Sequence, residues 1–306
     1  MDCWLHIGTD KTGTTSIQKF LYDNHELLEA QGYYLPRSLG RGKQVALALY
    51  TKKAAHLSDK DPVWRRSRFE DPATFHATVE RRLAREMRRV DAPYVVMSAE
   101  GLHRRGPGAI SRLKALLEPW FSRIYVVIYL RSQDSYALSQ YQQVIRSGKT
   151  HSLEEHLRGT LLDNHHDYHA KIQRWANVFG REAVRPRLFE RSQFVDGSLI
   201  CDFLATIGIE DRKWVVEQAP KNESLDAESV ALLSEYNAKL FAGLPLNQQD
   251  ALRRPLIRLL VARASGVKLA LPQDWRDRIR ERWHPTNAEV AREWFGRADG
   301  QLFEAL

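Results

Sequence analysis

The sequence predicts an α/β fold: a doubly wound central parallel sheet, followed by a helical C-terminal region. Three observations predict it. Short β-rich apolar runs take turns with amphipathic helical patterns through the first two thirds of the chain. The central runs are apolar at successive positions rather than at alternate ones, as strands covered on both faces are. After residue 226 only helical patterns remain. Right-handed crossovers between such strands place ligands beyond the carboxyl ends of the sheet.

Taken in order, residues 3–7 form the first strand, ended by Gly8, and a polar glycine-threonine loop follows over residues 8–16. Ile17, Phe20, Leu21, Leu27 and Leu28 then mark one amphipathic helix, which residues 32–36 end while starting a short extended piece. Asp71 and Pro72 read as N-cap and first residue of a helix whose core stripe is Phe75, Val79, Leu83 and Met87. Its opposite side carries Arg81, Arg82, Arg85, Arg88 and Arg89, either an anion-binding face or a solvated surface. Residues 94–97 and 124–130 are the central strands, each followed by a helix, at 109–117 and 135–146. The last strand, 184–189, contains Pro186, which demotes it, and a helix at 198–207 follows.

With 306 residues, 43% of them apolar, the chain has material for one large domain, divided here into an α/β core over residues 1–225 and a helical extension over 226–306. No run reaches the ~18 apolar residues of a membrane span. The N-terminal residues lack the basic and apolar regions of a leader, so a cytoplasmic location is expected. Cys3 and Cys201 sit in apolar stretches and read as buried thiols. Forty-six lysines and arginines against 38 acids, a formal +8, favour anions. The arginines are spread over helix faces with no zinc-finger, RNP or helix-turn-helix pattern, so no nucleic-acid partner is expected. His165, His166, Asp167 and His169 are the densest group of metal-ligand types, with residues 165 and 169 on one helix face. They have no further ligands at characteristic spacing, and no metal is expected. Residues 252–261 are basic and amphipathic, which suits either peripheral membrane contact or a helix packed on the domain.

The loop Gly-Thr-Asp-Lys-Thr-Gly-Thr-Thr-Ser at residues 8–16 lies between the first strand and the first helix, where backbone N–H groups cradle phosphate oxygens. Gly8 and Gly13 have P-loop spacing, but Thr14 stands where that pattern requires lysine, which disfavours an ordinary nucleotide triphosphatase. Lys11, inside the loop, is placed to reach an oxygen bridging phosphate to a leaving group, and Thr14, Thr15 and Ser16 add hydroxyls at the helix start.

Residues 6–16 resemble the 5′-phosphosulfate loop of sulfotransferases dependent on 3′-phosphoadenosine 5′-phosphosulfate (PAPS), whose recurring form is lysine, any residue, glycine, threonine, threonine. Those enzymes grip the 3′-phosphate with an arginine ending a central strand and a serine eight residues later. Here Val-Val-Ile-Tyr-Leu leads into Arg131, with Ser139 eight residues on. Residues 221–225 and 284–295 are more loosely similar to late segments of bacterial carbohydrate-type sulfotransferases.

The resemblance implies a P-loop NTPase-like sulfotransferase fold with PAPS as donor, its bisphosphate (PAP) as product and no obligatory metal. Lys11, Thr12, Gly13, Thr14, Thr15, Ser16, Arg131 and Ser139 would hold the donor, with Lys221 either a cap on its phosphate or a plain loop lysine. The acceptor would be a hydroxyl or amine, preferably on a carbohydrate or glycoconjugate. A glutamate commonly serves as base in the glycan-modifying members, which points to Glu100 after the 94–97 strand, with His103 and His6 in reserve. Two other readings stay open: a P-loop kinase using magnesium, and a non-catalytic nucleotide-binding protein of the same fold. Acceptor identity and oligomeric state are not legible in the residues.

Overall fold

Five strands form one wholly parallel sheet in the computed structural model of the chain: β1 (Asp2–His6), β2 (Tyr33–Tyr34), β3 (Tyr94–Ser98), β4 (Arg123–Leu130) and β5 (Val184–Leu188). Their spatial order is β2-β3-β1-β4-β5. Residues 1–58, 61–65, 67, 69–212, 214–215, 225–263 and 266–304 are described, and Lys221 lies outside them.

The helices, in chain order, are α1 (Thr14–Asp23), α2 (His25–Ala30), α3 (Val45–Tyr50), α4 (Pro62–Arg65), α5 (Phe75–Met87), α6 (Pro107–Leu117), α7 (Gln133–Arg146) and α8 (Leu153–Leu162). They continue with α9 (Tyr168–Phe179), α10 (Leu199–Thr206), α11 (Ala227–Tyr236), α12 (Leu246–Arg263) and α13 (Gln273–Phe295). The chain folds into two compact units that interleave along the sequence. The first comprises Met1–Leu130, Tyr168–Val216 and Phe303–Leu306, and the second Arg131–Asp167 and Glu217–Leu302.

The first unit contains the sheet. β1 is central, pairing with β3 on one side and β4 on the other, so that His6 lies level with Ser98 and Val127. Strand order reverses at β1, which makes the end of β1 the switch point where open α/β sheets bind ligands. Val96, Val127 and Tyr129 join Ile17 and Leu21 of α1 and Phe203 and Leu204 of α10 in one apolar cluster. The intervening Val95, Met97, Val126 and Ile128 point to the other face by strand alternation and are equally buried, so both faces are covered. That double covering explains the unbroken apolar runs in the sequence. β5 is an edge strand, where the missing N–H of Pro186 is tolerated.

Two helix boundaries differ from expectation. The first helical stretch breaks at Asn24 into α1 and α2, and Leu27 is exposed rather than part of the stripe. Asp71 does not cap α5; its carboxylate accepts from the Ala73 N–H at 2.9 Å and the Thr74 hydroxyl at 2.7 Å, building a turn ahead of a helix that starts at Phe75. Arg81, Arg82 and Arg85 of α5, and Arg88 and Arg89 just past its end, are exposed, whereas its stripe of Phe75, Val79, Leu83 and Met87 is buried.

The second unit is built on two apolar clusters, one joining Ala137 and Leu157 to Trp275, Ile279 and Trp283, the other joining Tyr141 and Ile145 to Val230, Leu233 and Leu260. Beyond residue 226 the regular elements among the described residues are helices joined by turns and loops, with one isolated bridge between Asp226 and Lys268. Residues 252–261 lie within α12, but the amphipathic pattern is not followed: Arg253 is buried against Asn237, while Leu252 and Leu259 are exposed. His165 belongs to a short 3-10 turn, Asn164–His166, and His169 to α9, so the two do not share a helix. Cys3 and Cys201 are free and buried, and burial pushes the Cys3 thiol well above its ordinary range. Among the described residues no helix is long and apolar enough to cross a membrane.

Candidate active site

The loop after β1 is tied to β4 and to the segment that follows β3. Ile7 N–H donates to the Val127 carbonyl at 3.0 Å, and the Ile7 carbonyl accepts from His103 N–H at 3.2 Å. The chain then turns through three left-handed residues, Gly8 (φ 87°), Lys11 (φ 64°) and Gly13 (φ 72°). Lys11 holds a conformation that costs a residue with a Cβ about 1–3 kcal/mol, a kind of local strain that clusters at functional sites. Gly13 is the N-cap of α1 and contributes no side chain, and the first turn of α1 carries no acidic residue. The helix N-terminus is therefore left to its backbone N–H groups and its positive end, a setting made for an anion.

The threonines divide into two pairs. Thr12 and Thr14 are buried, and both hydroxyls donate to the Thr9 carbonyl, at 2.7 and 3.1 Å. They fix the loop's shape, and what they can offer a ligand is backbone N–H. Thr15 and Ser16 are exposed at the helix start.

Under the loop lies a buried polar floor that no local sequence pattern announces. Ser98, the last residue of β3, receives the Gln18 side-chain amide on its hydroxyl at 3.1 Å and on its carbonyl at 3.3 Å. Its N–H donates to Gln44 Oε1 at 2.8 Å, and its carbonyl accepts from Gln44 N–H at 3.1 Å. The hydroxyl proton is left for His6 Nδ1, 2.8 Å away. Burial lowers the His6 pKa to about 3, so the ring is neutral, packed edge-on against Tyr129 and Phe203. His6 is thus a structural member of this floor and not a base facing an acceptor.

Glu100 follows two residues after β3, with an exposed side chain. Its carboxyl is held above the ordinary glutamate value, first by the desolvation that its crowded surroundings impose and then by the negative charge of Asp10. Lys43, Lys11 and Arg104 pull the other way, so the loop lysine and the candidate base lie within each other's field. Asp10 is gripped by Arg104 through Nε at 3.1 Å and Nη2 at 2.5 Å, and His103 Nε2 approaches the same carboxylate to 3.8 Å. His103 is 1% exposed and lies close beneath Gly8, where a Cβ would come 3.5 Å from its Nδ1. It supports the loop from below, whereas Glu100 opens outward. Lys11, Thr12, Gly13, Thr14, Thr15, Ser16, Glu100 and His103 are thus all in the first unit.

Arg131 and Ser139 belong to the second unit. Arg131 directly follows β4, and Ser139 lies in the second turn of α7, past the first turn over which a helix N-terminus exerts its field. The start of α7 is anchored at three points. Gln133 and Asn287 exchange side-chain amide hydrogen bonds at 2.8 and 3.0 Å, Gln133 also donates to the His166 carbonyl at 3.1 Å, and the buried Asp134 pairs with Arg280 at 3.0 Å. The late segment 284–295, which had no role on sequence grounds, thus contributes Asn287 to holding the residues just after Arg131. Trp175, Trp275 and Trp283 are buried and have no open ring to offer a sugar. Among the described residues no group of three or more His, Cys, Asp or Glu could hold a metal ion.

No protein-family profile matches the chain. It is similar to a protein of Archaeoglobus fulgidus described as uncharacterized, 27% identical over 207 residues that cover 66% of this chain and 54% of that protein. The chain thus spans about half the length of that relative. Among solved structures it is similar to a sulfotransferase from Alicyclobacillus acidocaldarius, at 18% identity and a TM-score of 0.46, over 89% of this chain and 98% of that one.

Proposed function

We propose that the chain is a sulfotransferase acting as one domain, which binds PAPS without a metal and moves its sulfuryl group to a hydroxyl or amine, preferably on a carbohydrate. The observation that carries this reading is the loop itself: a strained lysine and an acid-free, uncapped helix N-terminus at the sheet's switch point, beside a carboxyl with a raised pKa. These features fit a 5′-phosphosulfate, which needs backbone N–H donors and one cation at its bridging oxygen. Residues 11–16 would receive that group, and Arg131 and Ser139 the 3′-phosphate, as the sequence resemblance has it. The acceptor oxygen attacks sulfur in line, its proton passes to Glu100, and the bond from sulfur to the bridging oxygen breaks. Lys11 stabilises the charge that develops on the departing bisphosphate. Two buried free thiols suit a reducing, cytoplasmic setting.

The test is calorimetric titration with PAP, run beside ATP with magnesium and repeated with Arg131→Ala. PAP is expected to bind without added metal and at least ~10-fold more weakly to the variant, the loss of one charge-assisted phosphate contact. Binding of ATP with magnesium but not of PAP would replace this reading with a phosphotransferase; binding of PAP with no transfer to a broad acceptor panel would leave a nucleotide-binding protein.

Glu100 gives a pH signature. A carboxyl with a raised pKa stays protonated to higher pH, so kcat/KM is expected to rise with pH along a limb centred above the ordinary glutamate range. Glu100→Gln is expected to remove that limb and lower turnover by ~10²–10⁴-fold. The melting temperature should hold or rise slightly at neutral pH, because a raised folded-state pKa means the charged form is disfavoured there. An unchanged pH profile in the variant would move the base elsewhere.

A further inference from the structure

Arg82 and Arg85 of α5, and Arg89 two residues past its end, line an open groove of about 410 Å³ together with Glu86, Tyr34, Ser38 and Val90. The sequence spacing offers two helix-surface ion pairs within this stretch, Arg82 with Glu86 and Glu86 with Arg89. Neither forms. The Glu86 carboxylate is committed elsewhere: Oε1 accepts from the Tyr34 hydroxyl at 2.9 Å and from Arg37 N–H at 2.7 Å, and Oε2 from Ser38 N–H at 3.0 Å and from the Ser38 hydroxyl. Glu80, the other acid of α5, is held by the Tyr50 hydroxyl at 2.6 Å. Among the described residues, the three groove arginines have no carboxylate within ion-pair distance, and Arg82 rests over the Phe69 ring instead. Glu86 is thus committed to the 34–38 segment and Glu80 to Tyr50, while the three arginines are exposed along one groove.

Three exposed guanidinium groups spread over residues 82–89 along one open groove suit a ligand that carries several anionic groups in a row better than a single phosphate or sulfate. A single-stranded nucleic acid would want exposed rings for base stacking, and among the described residues the ring lining the groove is Tyr34, half-buried with its hydroxyl committed to Glu86. The segment that walls the groove runs on to Lys43, whose charge acts on Glu100, and to Gln44, bonded to Ser98 at the end of β3. We propose that the Arg82, Arg85 and Arg89 groove holds a segment of an acidic polysaccharide, the acceptor chain whose reacting sugar is served by Glu100. The proposal rests on the sulfotransferase reading and narrows its acceptor to a polyanionic glycan.

The test is fluorescence anisotropy with a labelled polygalacturonate oligomer, at low and moderate salt, against wild type and the Arg85→Gln/Arg89→Gln variant, which keeps Arg82 on Phe69. Wild type is expected to bind the oligomer and to weaken with salt, with at least ~10-fold loss in the variant. Arg85→Lys/Arg89→Lys should recover most of the affinity, because it restores the charge, and this comparison separates binding from any folding defect. PAP titration of the same proteins is expected to be unaltered; loss of PAP binding in wild type would sink the sulfotransferase reading, whatever the oligomer does. Equal oligomer binding by wild type and the glutamine variant, no binding by wild type, or tighter binding of a single-stranded oligonucleotide of equal charge would each overturn the groove proposal.

Discussion

Lys11→Ala is expected to lower sulfuryl-transfer turnover by ~10²–10³-fold while leaving the melting temperature within a degree or two of wild type. The size follows from removing one preorganised cation where charge develops in the transition state. The small stability effect follows from the backbone: Lys11 sits at φ 64°, and alanine meets the same Cβ penalty there as lysine does. The substitution thus deletes the ammonium without changing the strain of the loop. Steady-state kinetics with a saturating acceptor, paired with a thermal melt, reads both quantities. Equal turnover would remove Lys11 from the catalytic machinery; a large fall in melting temperature would make its role structural.

Gly13→Ala is expected to behave in the opposite way, costing stability and donor binding together. Gly13 is at φ 72°, and a Cβ there would overlap Leu199 Cδ2 and approach Phe189 Cε2 to 3.2 Å. Left-handed strain and overpacking are each worth about 1–3 kcal/mol. In a chain of this size each kcal/mol lowers the melting temperature by roughly 2–4 °C. Since α10 begins at Leu199, relieving the clash pushes the loop away from the helix that backs it. Leu199→Ala in the same chain is expected to recover part of the melting temperature by removing the overlap, but not the part due to φ. Thermal melts of the two single variants and the double variant separate the contributions, and an unaltered melt for Gly13→Ala would refute the packing argument.

Much of the first unit could be read from residue order because its signals are local. Residues 94–97 and 124–130 carry enough consecutive apolar side chains to betray strands covered on both sides, and both lie within β3 and β4. The glycines at 8 and 13 mark the loop because only its backbone needs a left-handed conformation there. Lys11 was visible as an unusual lysine, though not as a strained one. The floor was illegible: Gln18, Gln44 and Ser98 look like ordinary polar residues, and only the meeting of α1, β3 and the segment before α3 makes them one network. His6 entered the sequence reading only as a reserve base, and its part in this network is visible only once Tyr129 and Phe203 are packed against it. In α5 the periodicity gave the buried face correctly, but the i,i+4 spacing of Arg82 and Glu86 gave no hint that the acid would turn toward Tyr34 and Ser38.

The convergence on Ser98 also bears on how the loop comes into being. Residues 6, 18, 44 and 98 are distant along the chain, and their hydrogen bonds close loops of up to 92 residues. Loop closure of that length is paid in chain entropy before any contact returns it. The seat of the anion loop is therefore expected to form late, together with the sheet. A local fluctuation cannot undo it piece by piece, because releasing any one of its buried groups strands the others without water. The loop above can be strained for the same reason: what holds it is not its own nine residues but the whole parallel sheet closing beneath them.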